Sequence, residues 1–151
     1  MAGGYETDTV TRLETNLDDS SPEILGATMD KLLAAGALDV WFAPIQMKKN
    51  RPGVLLSVLC EPARVESLAD IIFRETTAFG LRQTDVVRLK LERRFETVAT
   101  EFGEVTLKLG SKGGKVVQVA PEFESCRAVS EKSGQPLRDV YEAATRAWRE
   151  R

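Results

Sequence analysis

An α+β fold follows from the order in which apolar patterns recur along the chain, and three observations predict it. Over residues 10–92 the periodicities run strand, helix, strand, strand, helix, strand. The second strand-like run contains Pro44, which suits an edge strand because proline has no amide to donate to a neighbour. The third, Val54 to Cys60, is almost wholly apolar, as expected of a buried central strand. This is the order of a split βαβ, or ferredoxin-like, unit with the second strand at the edge and the third internal. Residues 93–151 then predict a small β-meander and two short helices, packed on that unit.

Val10 to Leu17 opens the pattern, with Leu13, Thr15 and Leu17 on one face and Glu14 and Asn16 on the other. Asp18-Asp19-Ser20-Ser21 breaks the strand. Ser21 followed by Pro22 and Glu23 starts a helix, since proline is tolerated where the amide has no helical partner. Leu25, Met29, Leu32 and Leu33 make its apolar stripe, which stops at Gly36. Leu38 to Met47 is the second strand, and Lys48-Lys49-Asn50-Arg51-Pro52-Gly53 is the polar turn into the third. The second helix is predicted from about Pro62 to Gly80, on a stripe of Val65, Leu68, Ala69, Ile72, Thr76 and Phe79. A fourth strand near Val86 to Leu91 alternates Val87, Leu89 and Leu91 against Arg88 and Lys90.

The meander is read as 96–101, 104–109 and 115–120, turning at Gly103 and at residues 110–114. Phe123, Cys126 and Val129 line the first late helix. Leu137, Val140, Tyr141, Ala144 and Trp148 line the second, with Gly134 and Pro136 between the two. Residues 1–9 are expected to be a disordered N-terminus or a cloning remnant, 10–92 one subdomain and 93–151 another.

Composition excludes several classes of function. The 151 residues carry 21 basic and 23 acidic side chains, a net charge of −2, which argues against an electrostatic grip on DNA or RNA. No apolar run approaches the ~18 residues of a membrane span. Two cysteines without CxxC spacing fit a reducing cytosol, and their apolar surroundings mark Cys60 and Cys126 as core thiols. There is no histidine, which rules out Ser-His and Cys-His catalysis and the HExxH zinc site. Any metal held by this chain alone would be hard and oxygen-bound.

In the predicted topology three connections fall at one end of the sheet: Asp18 to Ser21, Lys48 to Gly53, and Thr76 to Arg82. Two adjacent carboxylates, three clustered cations with a glycine, and an arginine with hydroxyls would therefore converge. That mixture suits a divalent cation shared with a polyphosphate, with the positive end of the first helix and its free amides assisting. Each piece also has a plainer reading. The hairpin reads equally as a solvated turn, the acids as helix-capping residues, and Thr76 and Thr77 as helix-terminus residues. Lys112 and Lys115 read either as a second phosphate contact or as a hairpin tip. Trp41, Phe42, Phe73, Phe79 and Trp148 read as core, unless one exposed ring serves a nucleobase.

Glu14-Thr15-Asn16-Leu17-Asp18-Asp19, Pro22-Glu23, Lys48-Lys49-Asn50-Arg51-Pro52-Gly53, Glu75-Thr76-Thr77 with Gly80-Leu81-Arg82, and Pro121-Glu122-Phe123-Glu124-Ser125-Cys126 together resemble the LarC family. The resemblance runs from about residue 10 to 148 and covers the C-terminal portion of the longer family protein, without its upstream His-rich region. It implies a cytoplasmic nickel insertase (lyase class) that acts on a pyridinium bis-thiocarboxylate mononucleotide and makes the nickel-pincer nucleotide cofactor of lactate racemase. It also implies that this portion binds CTP with Mn²⁺ or Mg²⁺, works with the N-terminal domain, forms a homo-oligomer and is inactive or weakly active alone. Carried onto this sequence, Lys48, Lys49, Asn50 and Arg51 become triphosphate contacts, and Gly53 allows close backbone approach. Asp18 and Asp19, with Glu14, become metal or water ligands, and Thr76, Thr77 and Arg82 contact phosphate or ribose. Glu122, Glu124 and Cys126 receive no role. The rival readings are a non-catalytic regulatory or oligomerisation module and, against the charge balance, an RNA-binding sheet.

Overall fold

A computed structural model of the chain describes residues 4–151. Its elements run β1 (Glu6–Leu17), α1 (Pro22–Ala34), β2 (Asp39–Met47), β3 (Arg51–Cys60), α2 (Val65–Glu75), β4 (Arg82–Lys90), β5 (Glu92–Thr100), β6 (Gly103–Lys112), β7 (Lys115–Pro121), α3 (Phe123–Ser133) and α4 (Leu137–Arg149). They divide into two units: residues 8–88, and residues 89–151 together with the N-terminal residues through Thr7.

The first unit is built on a four-stranded sheet in the order β2-β3-β1-β4, with β3 antiparallel to both of its neighbours. β2 is thus an edge and β3 internal, and Pro44 sits in the edge strand opposite Val54. The two-residue period of the strands aims Leu13, Leu17, Val40, Leu56, Val58 and Cys60 into one core. There they meet Leu32 of α1 and Leu68 and Ile72 of α2. Most of these side chains are wholly excluded from water, each contributing about 1.5–3 kcal/mol of burial. Lys31 Nζ reaches Glu75 Oε2 at 2.6 Å and ties α1 to the end of α2.

The second unit is an antiparallel meander, β5-β6-β7. Val98, Val105, Leu107 and Leu109 pack against Cys126 of α3 and Val140 and Ala144 of α4. Gly113 and Gly114 join β6 to β7 with φ of 56° and 81°, the left-handed pair that a two-residue hairpin needs.

Several local expectations are corrected. Of the nine N-terminal residues expected to be disordered, 1–3 lie outside the described residues, while Glu6–Thr9 are already in β1. Those four carry no apolar side chain, so periodicity could not reveal them. Leu33 is exposed, and Thr28 takes a buried place on α1, its hydroxyl donating to the Ile24 carbonyl at 2.7 Å. α2 begins after a single 3-10 turn at Pro62–Arg64 and stops at Glu75. Thr76 is extended and its hydroxyl donates to the Ile72 carbonyl, which leaves Phe79 outside the helix and fully exposed. On β4, Val87 and Leu89 face water, while Arg88 pairs with Asp8 at 2.6 Å. Phe123 is likewise exposed, although Cys126 on the same helix is buried.

Candidate functional site

β1 ends at Leu17 because Asp18 and Asp19 follow it, and these two acids face both other connections at this end of the sheet. Arg51 Nη1 lies 3.4 Å from Asp18 Oδ2, which joins the β2–β3 hairpin to the β1–α1 loop. The Thr77 hydroxyl donates to the Asp19 carboxylate, and the Ser20 and Thr77 hydroxyls stand 3.3 Å apart, which brings in the α2–β4 segment. Two further bonds hold that segment to β1. The Thr15 hydroxyl donates to the Gly80 carbonyl at 3.0 Å, and Arg82 Nη2 donates to Asn16 Oδ1 at 2.6 Å. The three connections therefore meet within one unit through Asp18, Asp19, Ser20, Arg51 and Thr77, while Lys48, Lys49 and Asn50 make no side-chain contact there among the described residues and line neither of the clefts beside it.

Two clefts flank the Asp18 loop. One, of about 340 Å³, is lined by Asn16, Asp18, Asp19, Thr77, Phe79 and Arg82 among others. The other, of about 270 Å³, runs past Asp18, Ser20, Pro22 and Pro52. A larger hollow of about 500 Å³ lies along a single face of α4 and is a shallow surface with no converging elements.

The hairpin carries an unusual conformation. Lys48–Asn50 form a 3-10 turn in which Lys49 and Asn50 have φ of 60° and 55°. Asparagine tolerates that region, but a lysine there costs roughly 1–2 kcal/mol. Such strain collects where a side chain is needed for something other than stability. Neither Lys48 nor Lys49 has an ion-pair partner among the described residues.

The remaining sequence candidates fall differently. Gly53 faces protein: a Cβ there would stand 2.6 Å from the Leu17 carbonyl oxygen and 2.8 Å from Met47 Sδ, so its smallness serves strand packing. Glu14 pairs with Arg12 at 3.4 Å and accepts from the Ser57 hydroxyl at 3.3 Å, and it lines neither cleft. The Thr76 hydroxyl is occupied in ending α2 and in accepting from the Ala78 amide. The free amides expected at the start of α1 are already engaged. Ser21 accepts from the Ile24 amide at 3.3 Å, and the Glu23 carboxylate is held below its ordinary range by a backbone amide and the Ser21 hydroxyl. What α1 still offers is the positive end of its dipole.

In the second unit, the unassigned motif at 121–126 stitches α3 to β6. The Glu122 amide donates to the Thr106 carbonyl, and Ser125 Oγ accepts from the Thr106 amide, each at 2.9 Å. Glu122 also pairs with Lys108 at 3.1 Å, and Glu124 with Arg127 at 2.5 Å. Cys126 is buried, its thiol pushed up by burial and then by Glu122. Burial likewise pushes up Cys60 and, with the nearby Cys126 and Glu122, the Tyr141 phenol. Lys112 donates to the Tyr5 hydroxyl at 3.0 Å and lies over its ring.

Chemically, the rim offers two carboxylates, hydroxyls and nearby cations. Among the described residues no group of three or more His, Cys, Asp or Glu side chains could enclose a metal. A hard divalent ion that takes one or two carboxylates and completes its shell with phosphate oxygens fits this donor set, and a metal caged by protein alone does not. Asn16 and Phe79 also line the first cleft, although the sequence assigned neither of them a definite contact there. Asn16 differs from its neighbours only by strand parity, and the helical spacing of Phe79 assigned it to a core stripe.

A family profile described as nickel insertion protein matches residues 1–141. A protein of Syntrophotalea carbinolica named for nickel insertion is 52% identical over 92% of this chain and 35% of its own length. The pyridinium-3,5-bisthiocarboxylic acid mononucleotide nickel insertion protein of Acetivibrio thermocellus is 48% identical over 93% of this chain and 34% of its own. The chain thus spans about a third of the length of these curated relatives. Among solved structures, LarC2, the C-terminal domain of a cyclometallase involved in the synthesis of the NPN cofactor of lactate racemase, aligns with a TM-score of 0.89. It is 40% identical, over 94% of this chain and 98% of that one. Protein MK0293 of Methanopyrus kandleri aligns with a TM-score of 0.71 at 32% identity, over 97% and 91% of the two chains.

Proposed function

The chain belongs to the nickel insertion protein family, and from that membership we propose that it is the CTP- and divalent-metal-binding C-terminal part of a nickel insertase. The whole enzyme would act on pyridinium-3,5-bisthiocarboxylic acid mononucleotide and make the nickel-pincer nucleotide cofactor of lactate racemase. Nickel is its cargo. The observation that supports this reading best is the meeting of Asp18 and Asp19 with Arg51 and Thr77 from two other connections.

In this reading Asp18 and Asp19 hold Mn²⁺ or Mg²⁺, which supplies charge neutralisation to a triphosphate. Arg51 is held by Asp18 only at 3.4 Å and is more than half exposed, so it can move to the phosphates when the ion takes the carboxylate. Lys48 and Lys49 bring two more cations without having to break an ion pair. Thr77 orients Asp19, and Arg82, braced by Asn16, faces the same cleft. The chain has no imidazole to offer nickel. With both thiols buried as well, insertion in this reading draws on the N-terminal part of the longer protein, and this chain alone binds nucleotide with little or no turnover. The reading includes a cytoplasmic homo-oligomer; no helix among the described residues is long and apolar enough to cross a membrane.

Calorimetric titration with CTP tests the proposal. Binding that requires Mn²⁺ or Mg²⁺ supports it, and an absence of binding with either ion rejects it. A second reading, a regulatory or oligomerisation module, is favoured by the exposure of Val87 and Leu89 on the edge strand β4. It predicts association of copies that Val87→Lys abolishes, with no response to nucleotide.

A further inference from the structure

We propose that Phe79 is the platform on which the base of a bound nucleotide stacks, an inference that rests on the nucleotide-binding reading above. Phe79 is 104% exposed, more than any other large apolar side chain among the described residues. Its neighbours behave otherwise, since Ala78 and Leu81 pack against the core of the first unit. The segment is also held firmly. Thr77 is bonded to Asp19, the Ala78 amide donates to the Thr76 hydroxyl at 3.2 Å, and the Gly80 carbonyl accepts from Thr15. A short segment pinned at both ends could have turned its largest apolar side chain inward and gained burial energy. Here the ring instead lines the cleft that contains Asp18, Asp19 and Arg82.

The lining of the cleft combines two chemistries. Asp18, Asp19 and Arg82 suit a metal-bound polyphosphate. Phe79 adds an apolar, planar surface that is fully exposed. Gly80, next in sequence, brings no side chain of its own, and the position its Cβ would take is open. A ligand that is anionic and metal-bound at one end and flat and aromatic at the other is a nucleoside polyphosphate. A stacked ring reads the π-face and tolerates any base, so discrimination between cytosine and uracil must come from polar groups. Asn16, which lines the same cleft, is one candidate, because Arg82 occupies its carbonyl and leaves its amide donors free.

The test compares Phe79→Ala with the parent chain for two probes, CTP and inorganic tripolyphosphate, both with Mn²⁺. Stacking predicts that the variant loses on the order of tenfold to a hundredfold in CTP affinity and keeps its affinity for tripolyphosphate. Phe79→Trp should retain CTP binding, and its added fluorescence should be quenched by CTP and not by tripolyphosphate. Equal losses for both probes, or no loss for either, overturn the stacking role and leave the metal–phosphate site standing. If neither probe binds even the parent chain, the nucleotide reading itself fails. A change in sedimentation of Phe79→Ala with CTP affinity intact assigns the ring to contact between copies and rejects the proposal.

Discussion

Arg51 and Asp18, 33 residues apart in sequence, stand 3.4 Å from each other, and that pair links the cationic hairpin to the acidic loop. At 3.4 Å, with the arginine largely in water, it is a weak surface contact of less than about 1 kcal/mol. Its value lies in placement, since it brings a movable cation beside a carboxylate that a divalent ion can take.

The strained hairpin offers a trade between stability and binding. Lys49→Gly removes the left-handed penalty while adding chain entropy to the unfolded state, for a net gain of up to about 1 kcal/mol. The same change removes a phosphate contact, so a variant with a raised melting temperature should bind Mn²⁺·CTP at least tenfold more weakly. Lys48→Ala should weaken binding similarly with the melting temperature unchanged.

Gly53→Ala tests whether that glycine serves the fold. A methyl group placed 2.6 Å from the Leu17 carbonyl oxygen forces β1 and β3 apart. Denaturant unfolding should show a loss of about 1–3 kcal/mol. A glycine kept only for a ligand would tolerate alanine with no loss of stability.

Glu75 should contribute to acid sensitivity. Its carboxyl is held below the usual range first by the hydrogen bond from Lys31 and then by that from Arg74. A depressed folded value means that its stabilising contribution is present above the unfolded value of about 4.3 and is lost as pH falls through the lower folded value. The melting temperature of Glu75→Gln should therefore lie below the parent's at neutral pH, and the gap should close in acid. A gap that persists unchanged down to about pH 3 would point to lost packing instead.

Both thiols should be silent in the folded chain. Cys60 and Cys126 are buried, and burial pushes each thiol up, away from the reactive thiolate. Ellman's reagent at neutral pH should detect neither until denaturant is added, when both react. Rapid labelling of the native chain would contradict this picture.

The sheet was legible because Pro44 and the apolar run from Val54 to Cys60 each restrict where a strand can lie, and the two restrictions agree. Glu6–Thr9 and β4 were harder to read. The former has no apolar side chain. On β4 the apolar face is the exposed one, with Val87 in water while Arg88 on the other face pairs with Asp8. In the site, residue type and topology brought the acids, the hairpin and Thr77 together, because loop composition and strand direction are both written in the chain. The packing constraint at Gly53 was invisible, since it depends on the backbone of a strand 36 positions away. Phe79 was misread because Thr76 ends α2 with a side-chain bond that helical spacing does not register.

The most direct test of the metal–nucleotide rim uses the paramagnetism of Mn²⁺ in an amide NMR spectrum of this chain with CTP present. The account predicts that the signals of Asp18 and Asp19 disappear first, that those of Lys48 to Arg51 and Thr77 broaden with them, and that Mg²⁺·CTP shifts the same signals without erasing them. Sharp, unmoved signals at residues 18, 19 and 77 in saturating Mn²⁺·CTP would contradict it.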